Sequence, residues 1–288
     1  DASDACRWMA GVRRGFLARK GVRMPIASHL GVNLYYEAVG DGPALLCLHG
    51  LWSTHQAFYQ GGWVSALSAD YRLIMPDMRG QGASDKPHDV AAYLAHTLAG
   101  DALAVLDAEG VALAHVLGYS MGGWIAHAVA RQAPGRVRSL MIGGAGVDPH
   151  QAHGVAALRF TQRTLAPNTG PGGAGVALAQ LSAGLRAQLA GQDLVALRAL
   201  VTAWIEHPTD GMAHLPALQM PALVFCGDRD PYEDAARQSA SAMPRARFVS
   251  LPGHTHDTAL LQCPEAVEKV KAFLDEIEAQ SRVAIGDS

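Results

Sequence analysis

The stretch Gly118-Tyr119-Ser120-Met121-Gly122-Gly123 decides the fold, because it joins two different patterns in the chain. The apolar run 111–117 before it predicts a buried strand, and residues 124–132 after it have the spacing of a helix. A serine between small residues at such a junction is typical of a nucleophile held on a sharp turn, which tolerates only small neighbours. The helix that begins there points its N–H groups at the same place and favours negative charge. A glycine-containing turn with a capping serine is the alternative interpretation.

The composition indicates a globular chain of one or two domains. The chain has 288 residues, of which 49% are hydrophobic and 17% charged, so it can bury a sizeable core and differs from disordered chains. The formal net charge of -3 argues against a nucleic acid or an anionic membrane as partner. No apolar run in the sequence is long enough to span a bilayer. The sequence therefore predicts neither a nucleic-acid nor a membrane partner, and it leaves the oligomeric state open.

The four cysteines, Cys6, Cys47, Cys226 and Cys263, show no spacing typical of a metal site. Cys47 and Cys226 lie within apolar runs, where a thiol behaves as a small hydrophobic side chain. We expect all four to be reduced and structural, which predicts a cytoplasmic location.

The chain divides into predicted regions of different character. Residues 1–23 are basic and lack the continuous apolar stretch of a secretory signal, so they are predicted to be a flexible extension. Strand and helix patterns alternate over 24–145 and 216–280, which predicts an α/β core with a mostly parallel sheet flanked by helices. Residues 146–215 hold alanine- and leucine-rich helical pieces without a convincing buried strand, so they are predicted to form a helical cap. Residues 281–288 are predicted to be a frayed tail.

The strand patterns also predict where functional loops lie. Residues 26–30 and 32–39 are separated by a turn, which predicts an antiparallel hairpin at the edge of the sheet. The continuous apolar run 44–48 predicts a strand that is buried on both faces. In open parallel sheets, sites form outside the carboxyl ends of the strands, so we expect the site residues in the loops that follow them.

These loops hold the groups that acyl transfer by a serine requires, which are a nucleophile, a base, an orienting acid and donors for the oxyanion. Ser120 supplies the nucleophile. The loop after the last predicted strand offers His254 and His256 as bases, and the loop after the preceding strand offers Asp228 and Asp230 as acids. The chain order is therefore Ser, Asp, His, with each group at the carboxyl end of a strand.

Together the motifs resemble the α/β-hydrolase fold superfamily, in its serine-nucleophile branch with an HG-type oxyanion loop and a helical cap. The resemblance covers residues 26–279. It rests on five segments in the expected order, which are His49-Gly50, residues 76–84, the serine turn at 118–123, residues 227–230, and the loop with His254 and His256. In this family the serine turn is a nucleophile elbow, which favours the catalytic interpretation of the turn over the capping one.

The resemblance also chooses between the paired candidates. In the family's Gly-x-x-Asp turn the acid is the fourth residue, which implies Asp230, with Asp228 as the alternative. The family's histidine commonly comes four residues after a proline, in a Pro-Gly-x-Gly-His pattern that ends here at His256. Thr255 replaces the second glycine of that pattern, and this departure keeps His254 as an alternative.

The remaining roles follow from the same resemblance. The oxyanion donors are implied to be the backbone N–H groups of Leu51 and Met121. Trp52, beside Leu51, is a candidate for the wall of the substrate pocket. His49 is implied to hold the oxyanion loop, and the loop 77–79 resembles a structural one.

The implied activity is that of a serine esterase with a Ser-His-Asp triad, which cleaves an ester of a small, largely apolar substrate through an acyl-enzyme. No metal or organic cofactor is expected. The same residues also serve carbon–carbon bond hydrolases, lactonases and acyltransferases, and the fold can act as a slow-turnover ligand receptor. Ser120 argues against dehalogenases and epoxide hydrolases, whose elbow resembles this one but carries aspartate.

Overall fold

The computed structural model describes residues 25–147, 154–165, 189–207 and 211–286. The predicted extension at 1–23 lies outside these residues, and so do Cys6 and parts of the predicted cap. No helix in the described part of the chain combines the length and the apolar character of a membrane span.

The described residues form a sheet of eight strands in the order β1-β2-β4-β3-β5-β6-β7-β8. The strands are β1 (Ile26–His29), β2 (Val32–Val39), β3 (Ala44–Leu48), β4 (Arg72–Pro76), β5 (Ala114–Tyr119), β6 (Val137–Gly143), β7 (Ala222–Gly227) and β8 (Ala246–Leu251). β2 runs antiparallel to β1 and β4, whereas all neighbours among β3 to β8 are parallel. The predicted mostly parallel sheet with an antiparallel hairpin at its edge is confirmed.

Helices flank the sheet on both faces. The described α-helices are α1 (Gln56–Gln60), α2 (Trp63–Leu67), α3 (Ala95–Ala108), α4 (Met121–Gln132), α5 (Gly154–Thr164), α6 (Leu194–Glu206), α7 (Gly211–His214), α8 (Glu233–Ala242), α9 (His256–Leu261) and α10 (Pro264–Gly286). One core cluster lies between the sheet and α3, α4 and α8, and a second lies between the sheet and α2, α9 and α10.

The central strand β3 shows why the sheet is covered on both faces. Leu46 and Leu48 point into the first core cluster, while Leu45 and Cys47 point into the second. Successive side chains of a strand alternate between faces, so a continuous apolar run supplies both clusters. Each leucine buried in this way contributes about 1.5–3 kcal/mol.

The chain between β6 and β7 carries α5 and α6, within the region predicted to be a cap. The two helices pack together, and Gln162 Nε2 donates a hydrogen bond to Thr202 Oγ1 at 2.9 Å. Trp204 Nε1 on α6 donates to the carbonyl of Tyr93 at 3.1 Å, and its ring lies 5.0 Å from the ring of Trp124 on α4. These contacts attach α6 to the core beside the helix that follows Ser120.

The last helix reaches into the region predicted to be a frayed tail. The predicted tail begins at residue 281, but α10 continues to Gly286. Ser281 Oγ donates to the carbonyl of Ile277 at 3.0 Å, and Gln280 Nε2 donates to Glu276 Oε1 at 3.1 Å. Residues 281–286 of the predicted tail are therefore helical.

Candidate active site

The turn between β5 and α4 places Ser120 in a strained conformation, with φ 55° and ψ -119°. A positive φ is uncommon for a residue other than glycine, and such strain collects at functional sites. The turn is also crowded, because a Cβ on Gly118 would overlap the Gly122 carbonyl and a Cβ on Gly122 would overlap the Leu48 carbonyl. These close approaches explain the two glycines that flank the serine, and Ser120 forms no side-chain cap on α4.

Three of the predicted site residues form one chain of hydrogen bonds. Ser120 Oγ lies 2.9 Å from His256 Nε2, and His256 Nδ1 lies 2.8 Å from Asp230 Oδ2. The carboxylate of Asp230 is buried and also accepts a hydrogen bond from the backbone N–H of Tyr232 at 3.0 Å. Because a carboxylate only accepts, His256 carries its proton on Nδ1, which leaves Nε2 to accept the proton of Ser120.

The alternative candidates occupy neighbouring positions with different contacts. Asp228 is exposed, and its Oδ1 accepts a hydrogen bond from the backbone N–H of Gly253 at 2.7 Å. The carbonyl of His254 accepts from the backbone N–H of Arg229 at 3.0 Å. These two bonds tie the loop after β7 to the loop after β8. The structure therefore brings Asp230 and His256 to Ser120, while Asp228 connects the two loops.

Two tyrosines hold His256, and the sequence prediction missed both. The hydroxyl of Tyr119 donates to the carbonyl of His256 at 2.5 Å, and the rings of Tyr119 and Tyr232 lie 5.5 Å and 5.4 Å from the imidazole. Burial raises the pKa of Tyr119 well above its usual value, and burial raises the pKa of Tyr232 to about 12. Both phenols therefore stay neutral, and Tyr119 remains a donor. Tyr119 occupies the variable position between Gly118 and Ser120, so the motif of the serine turn does not predict this role.

The loop after β3 runs against Ser120. A Cβ on Gly50 would lie 3.4 Å from Ser120 Cβ, so the backbone passes close to the serine. His49 holds this loop, because its Nδ1 donates to the Gly50 carbonyl at 2.8 Å and its Nε2 accepts from the Met78 N–H at 3.0 Å. Burial lowers the pKa of His49, which keeps the ring neutral and able to accept. These contacts fit the structural role predicted for His49.

The loop after β4 is also held by its own charged residues. Asp77 Oδ1 accepts hydrogen bonds from the backbone and the ring of His55, at 2.9 Å and 2.7 Å, and Asp77 Oδ2 accepts from Ala83 N–H at 2.8 Å. Arg79 donates two hydrogen bonds to the Asp101 carboxylate, at 2.8 Å and 2.7 Å. Both side chains are buried. Asp77 and Arg79 therefore fix the loop, as the resemblance implied.

A cavity of about 510 Å³ opens beside Ser120. Its walls combine aromatic and aliphatic side chains with polar ones, which include the carboxylate of Asp257. The main lining residues are Leu51, Trp52, Ser53, Thr54, Gln56, Gln60, Met121, Trp124, Leu158, Thr161, Gln192, Tyr232, Asp257 and Leu260. Trp52 thus lies in the wall, as predicted, and Leu158, Thr161 and Gln192 come from the segment between β6 and β7. Among the described lining residues, none is a lysine or an arginine.

Part of the sequence matches a known protein family. Residues 43–165 match the family described as alpha/beta hydrolase fold. The chain has the α/β-hydrolase fold. The match includes the serine turn and ends within α5, and the sheet described above continues beyond it through β7 and β8.

Individual members of the superfamily share parts of the sequence or the whole fold. Epoxide hydrolase 2 of Siraitia grosvenorii is 34% identical over 116 residues, which are 38% of this chain and 35% of that protein. The chain thus spans 35% of the length of the curated Siraitia epoxide hydrolases that it matches.

Two solved esterase structures share the fold. A thermophilic esterase from Thermogutta terrifontis superposes with a TM-score of 0.74 at 22% identity, covering 88% of this chain and 99% of that one. Esterase RhEst1 from Rhodococcus sp. ECU1013 superposes with a TM-score of 0.69 at 25% identity, covering 89% of this chain and 99% of that one.

Proposed function

We propose that the protein is a serine hydrolase that cleaves a carboxylic ester, or a related acyl bond, of a small and largely apolar substrate through an acyl-enzyme. The observation that carries the proposal is the continuous chain of hydrogen bonds from Ser120 through His256 to Asp230, at 2.9 Å and 2.8 Å. This is the arrangement in which a histidine activates a serine and a buried carboxylate orients the histidine.

In the proposed reaction, His256 Nε2 takes the proton of Ser120 Oγ while that oxygen attacks the carbonyl carbon of the ester. His256 then gives the proton to the leaving alcohol, and the carbon–oxygen bond to the alcohol breaks to leave the acyl-enzyme. Water attacks the acyl carbon with His256 as base, and Ser120 regains a proton as the acid leaves. Asp230 stays ionised throughout and stabilises the imidazolium.

The oxyanion of this reaction is assigned to the backbone N–H groups of Leu51 and Met121. Both residues line the cavity together with Ser120, and Met121 is the first residue of α4. The N-terminus of a helix favours negative charge, which supports this assignment. Loss of one such donor raises the barrier by about 3 kcal/mol.

The cavity supports a small, neutral substrate with a large apolar part. Its volume of about 510 Å³ is within the range of small-molecule sites. Trp52, Trp124 and Leu158 supply apolar wall, and the described lining residues include no cation that would bind a strongly anionic group. The proposed partner is therefore an ester-like small molecule, rather than a nucleic acid or a membrane.

The proposed function differs from the activity named for the epoxide hydrolase relatives. Ser120 stands where the elbow of such enzymes carries aspartate, and a serine yields an acyl-enzyme from an ester.

A cytoplasmic location is also proposed, supported by the buried thiols of Cys47, Cys226 and Cys263.

Turnover of p-nitrophenyl acetate, butyrate and octanoate tests the proposal. The wild-type protein is expected to release many equivalents of p-nitrophenol per active site, and Ser120→Ala is expected to fall to the background rate with an unchanged circular dichroism spectrum. Hydrolysis retained in the folded variant would contradict the nucleophile. Release of a single equivalent by the wild type would instead favour a ligand receptor. A panel of esters, lactones and vinylogous diketones, compared by kcat/KM, then identifies the preferred bond.

A further inference from the structure

One buried amide connects the two segments that supply the proposed oxyanion donors. Gln81 lies in the loop after β4 and has 0% exposure. Its Oε1 accepts a hydrogen bond from the backbone N–H of Trp52 at 2.7 Å, and its Nε2 lies 3.7 Å from Met121 Sδ as a donor. Both ends of the side chain are therefore used, and each faces a different segment of the site.

The two partners of Gln81 stand at the proposed donors themselves. Trp52 directly follows Leu51, so a bond to the Trp52 N–H fixes the peptide next to the Leu51 donor. Met121 carries the second donor on its own backbone. The Gln81 side chain thus links the peptide next to the first donor with the side chain of the residue that carries the second.

The backbone at Trp52 requires such a restraint. Trp52 has φ 64°, in the left-handed region that a bulky residue rarely adopts. A strained conformation persists only where its surroundings determine it, and here the Trp52 N–H donates a short hydrogen bond to the buried amide oxygen of Gln81. Release of this bond would let the loop relax toward an ordinary φ and turn the adjacent Leu51 N–H.

Gln81 itself is held firmly enough to act as a reference point. Its backbone N–H donates to the Met78 carbonyl at 2.9 Å, and its carbonyl accepts from the Ser84 N–H at 3.2 Å. Gly80 and Gly82 on either side have φ 84° and 55°, and a Cβ on Gly82 would overlap the Asp77 carboxylate. The loop that carries Gln81 is therefore rigid and would not move together with the segment that contains Leu51 and Trp52.

We infer that Gln81 is a positioning residue that sets the two oxyanion donors relative to Ser120. The inference rests on the proposed function, because it assigns a role within the same reaction. It predicts that Gln81 acts on the transition state and leaves ground-state binding nearly unchanged, since the amide contacts the Trp52 backbone and the Met121 side chain rather than the substrate.

The test replaces the amide with a side chain of similar length. Gln81→Met keeps the volume but offers no oxygen to the Trp52 N–H. We expect kcat for p-nitrophenyl butyrate to fall about tenfold to hundredfold, somewhat less than the loss of a whole donor, with KM changed less than about twofold. The inhibition constant of an alkyl trifluoromethyl ketone, which forms the tetrahedral oxyanion, should rise by the same factor.

A control separates positioning from general stability. Ser139 is also fully buried, and its hydroxyl bonds His115 Nδ1 at 2.7 Å in the middle of the sheet. Ser139→Ala is expected to lower the urea midpoint as a lost buried hydrogen bond does, with kcat and the ketone inhibition constant unchanged. Equal losses of kcat in Ser139→Ala and Gln81→Met would assign the effect to destabilisation and overturn the inference.

A second variant covers a failure of Gln81→Met to fold. Gln81→Asn keeps the amide but is one methylene shorter, so it cannot reach both partners, and the same selective loss of kcat is expected. A folded Gln81 variant with kcat within twofold of wild type would overturn the inference while Ser120-dependent turnover stands. Absence of Ser120-dependent turnover in the wild type would instead overturn the proposed function.

Discussion

The buried ion cluster around His55 predicts a loss of stability at alkaline pH. His55 lies between two buried carboxylates, with Nε2 at 3.1 Å from Glu37 Oε1 and Nδ1 at 2.7 Å from Asp77 Oδ1. Burial by itself lowers the pKa of His55, but the hydrogen bonds and charges of Asp77 and Glu37 outweigh it and raise the pKa to about 9. His55 is therefore charged at neutral pH, and it precedes α1, which lines the cavity.

The magnitude follows from the difference between the folded and unfolded pKa values. A rise from 6.5 to about 9 corresponds to a contribution of about 3 kcal/mol to the free energy of unfolding. Since the folded pKa is the higher one, this contribution is fully present below pH 6.5 and is lost as the pH rises through 9. Between pH 7 and pH 9 the folded protein should therefore lose about 2 kcal/mol from this group.

Two measurements check the prediction together. Urea unfolding from pH 6.5 to 9 gives the change in free energy, and NMR titration gives the pKa of the imidazole, which is assigned by the signal missing in His55→Gln. The range up to pH 8 is the most direct, because unfolded cysteines ionise above it. A His55 midpoint at or below 6.5, or a free energy of unfolding that is flat between pH 7 and 9, would refute the argument.

Two further predictions concern the triad and the turn. Asp230→Asn and His256→Ala should each lower kcat/KM by about 10³-fold or more. The matched controls Asp228→Asn and His254→Ala should lower kcat/KM by less than about tenfold. The reverse order would assign the catalytic roles to Asp228 and His254. Gly122→Ala should lower kcat/KM by about 100-fold and reduce Tm, because the new Cβ pushes the turn away from the end of β3. A crystal structure of Gly122→Ala with an unchanged turn, or wild-type kcat/KM in this variant, would contradict this account of the glycine.

The three residues of the proposed triad could be predicted because each belongs to a short motif at the end of a strand. The alternation of strands and helices by itself predicts that Ser120, Asp230 and His256 lie at one edge of the sheet. The choice of Asp230 over Asp228 required the spacing of a family pattern, since both carboxylates follow the same strand. The structure pairs Asp230 with His256 at 2.8 Å, which gives that choice a physical basis.

Contacts between distant parts of the chain could not be predicted in the same way. Gln81 and Trp52 are 29 residues apart, and the Tyr119 hydroxyl reaches a carbonyl 137 residues away. Hydrophobic periodicity reports which face of an element is buried, but it does not report which polar group meets which. Gln81 therefore looked like one polar residue in a glycine-rich loop, and His55 like an isolated histidine.

The residues that line the cavity come from separate parts of the chain, which affects how the protein can evolve. Ser120, His256 and Leu51 belong to loops of the sheet, whereas Leu158, Thr161 and Gln192 all belong to the single excursion between β6 and β7. Because β6 and β7 are neighbouring strands, this segment can be exchanged without interrupting any element that holds Ser120. Evolution can therefore change the cavity wall while the arrangement of Ser120, His256 and Asp230 is kept. If the proposed function holds, a segment transplanted from another hydrolase should bring its own substrate preference with it.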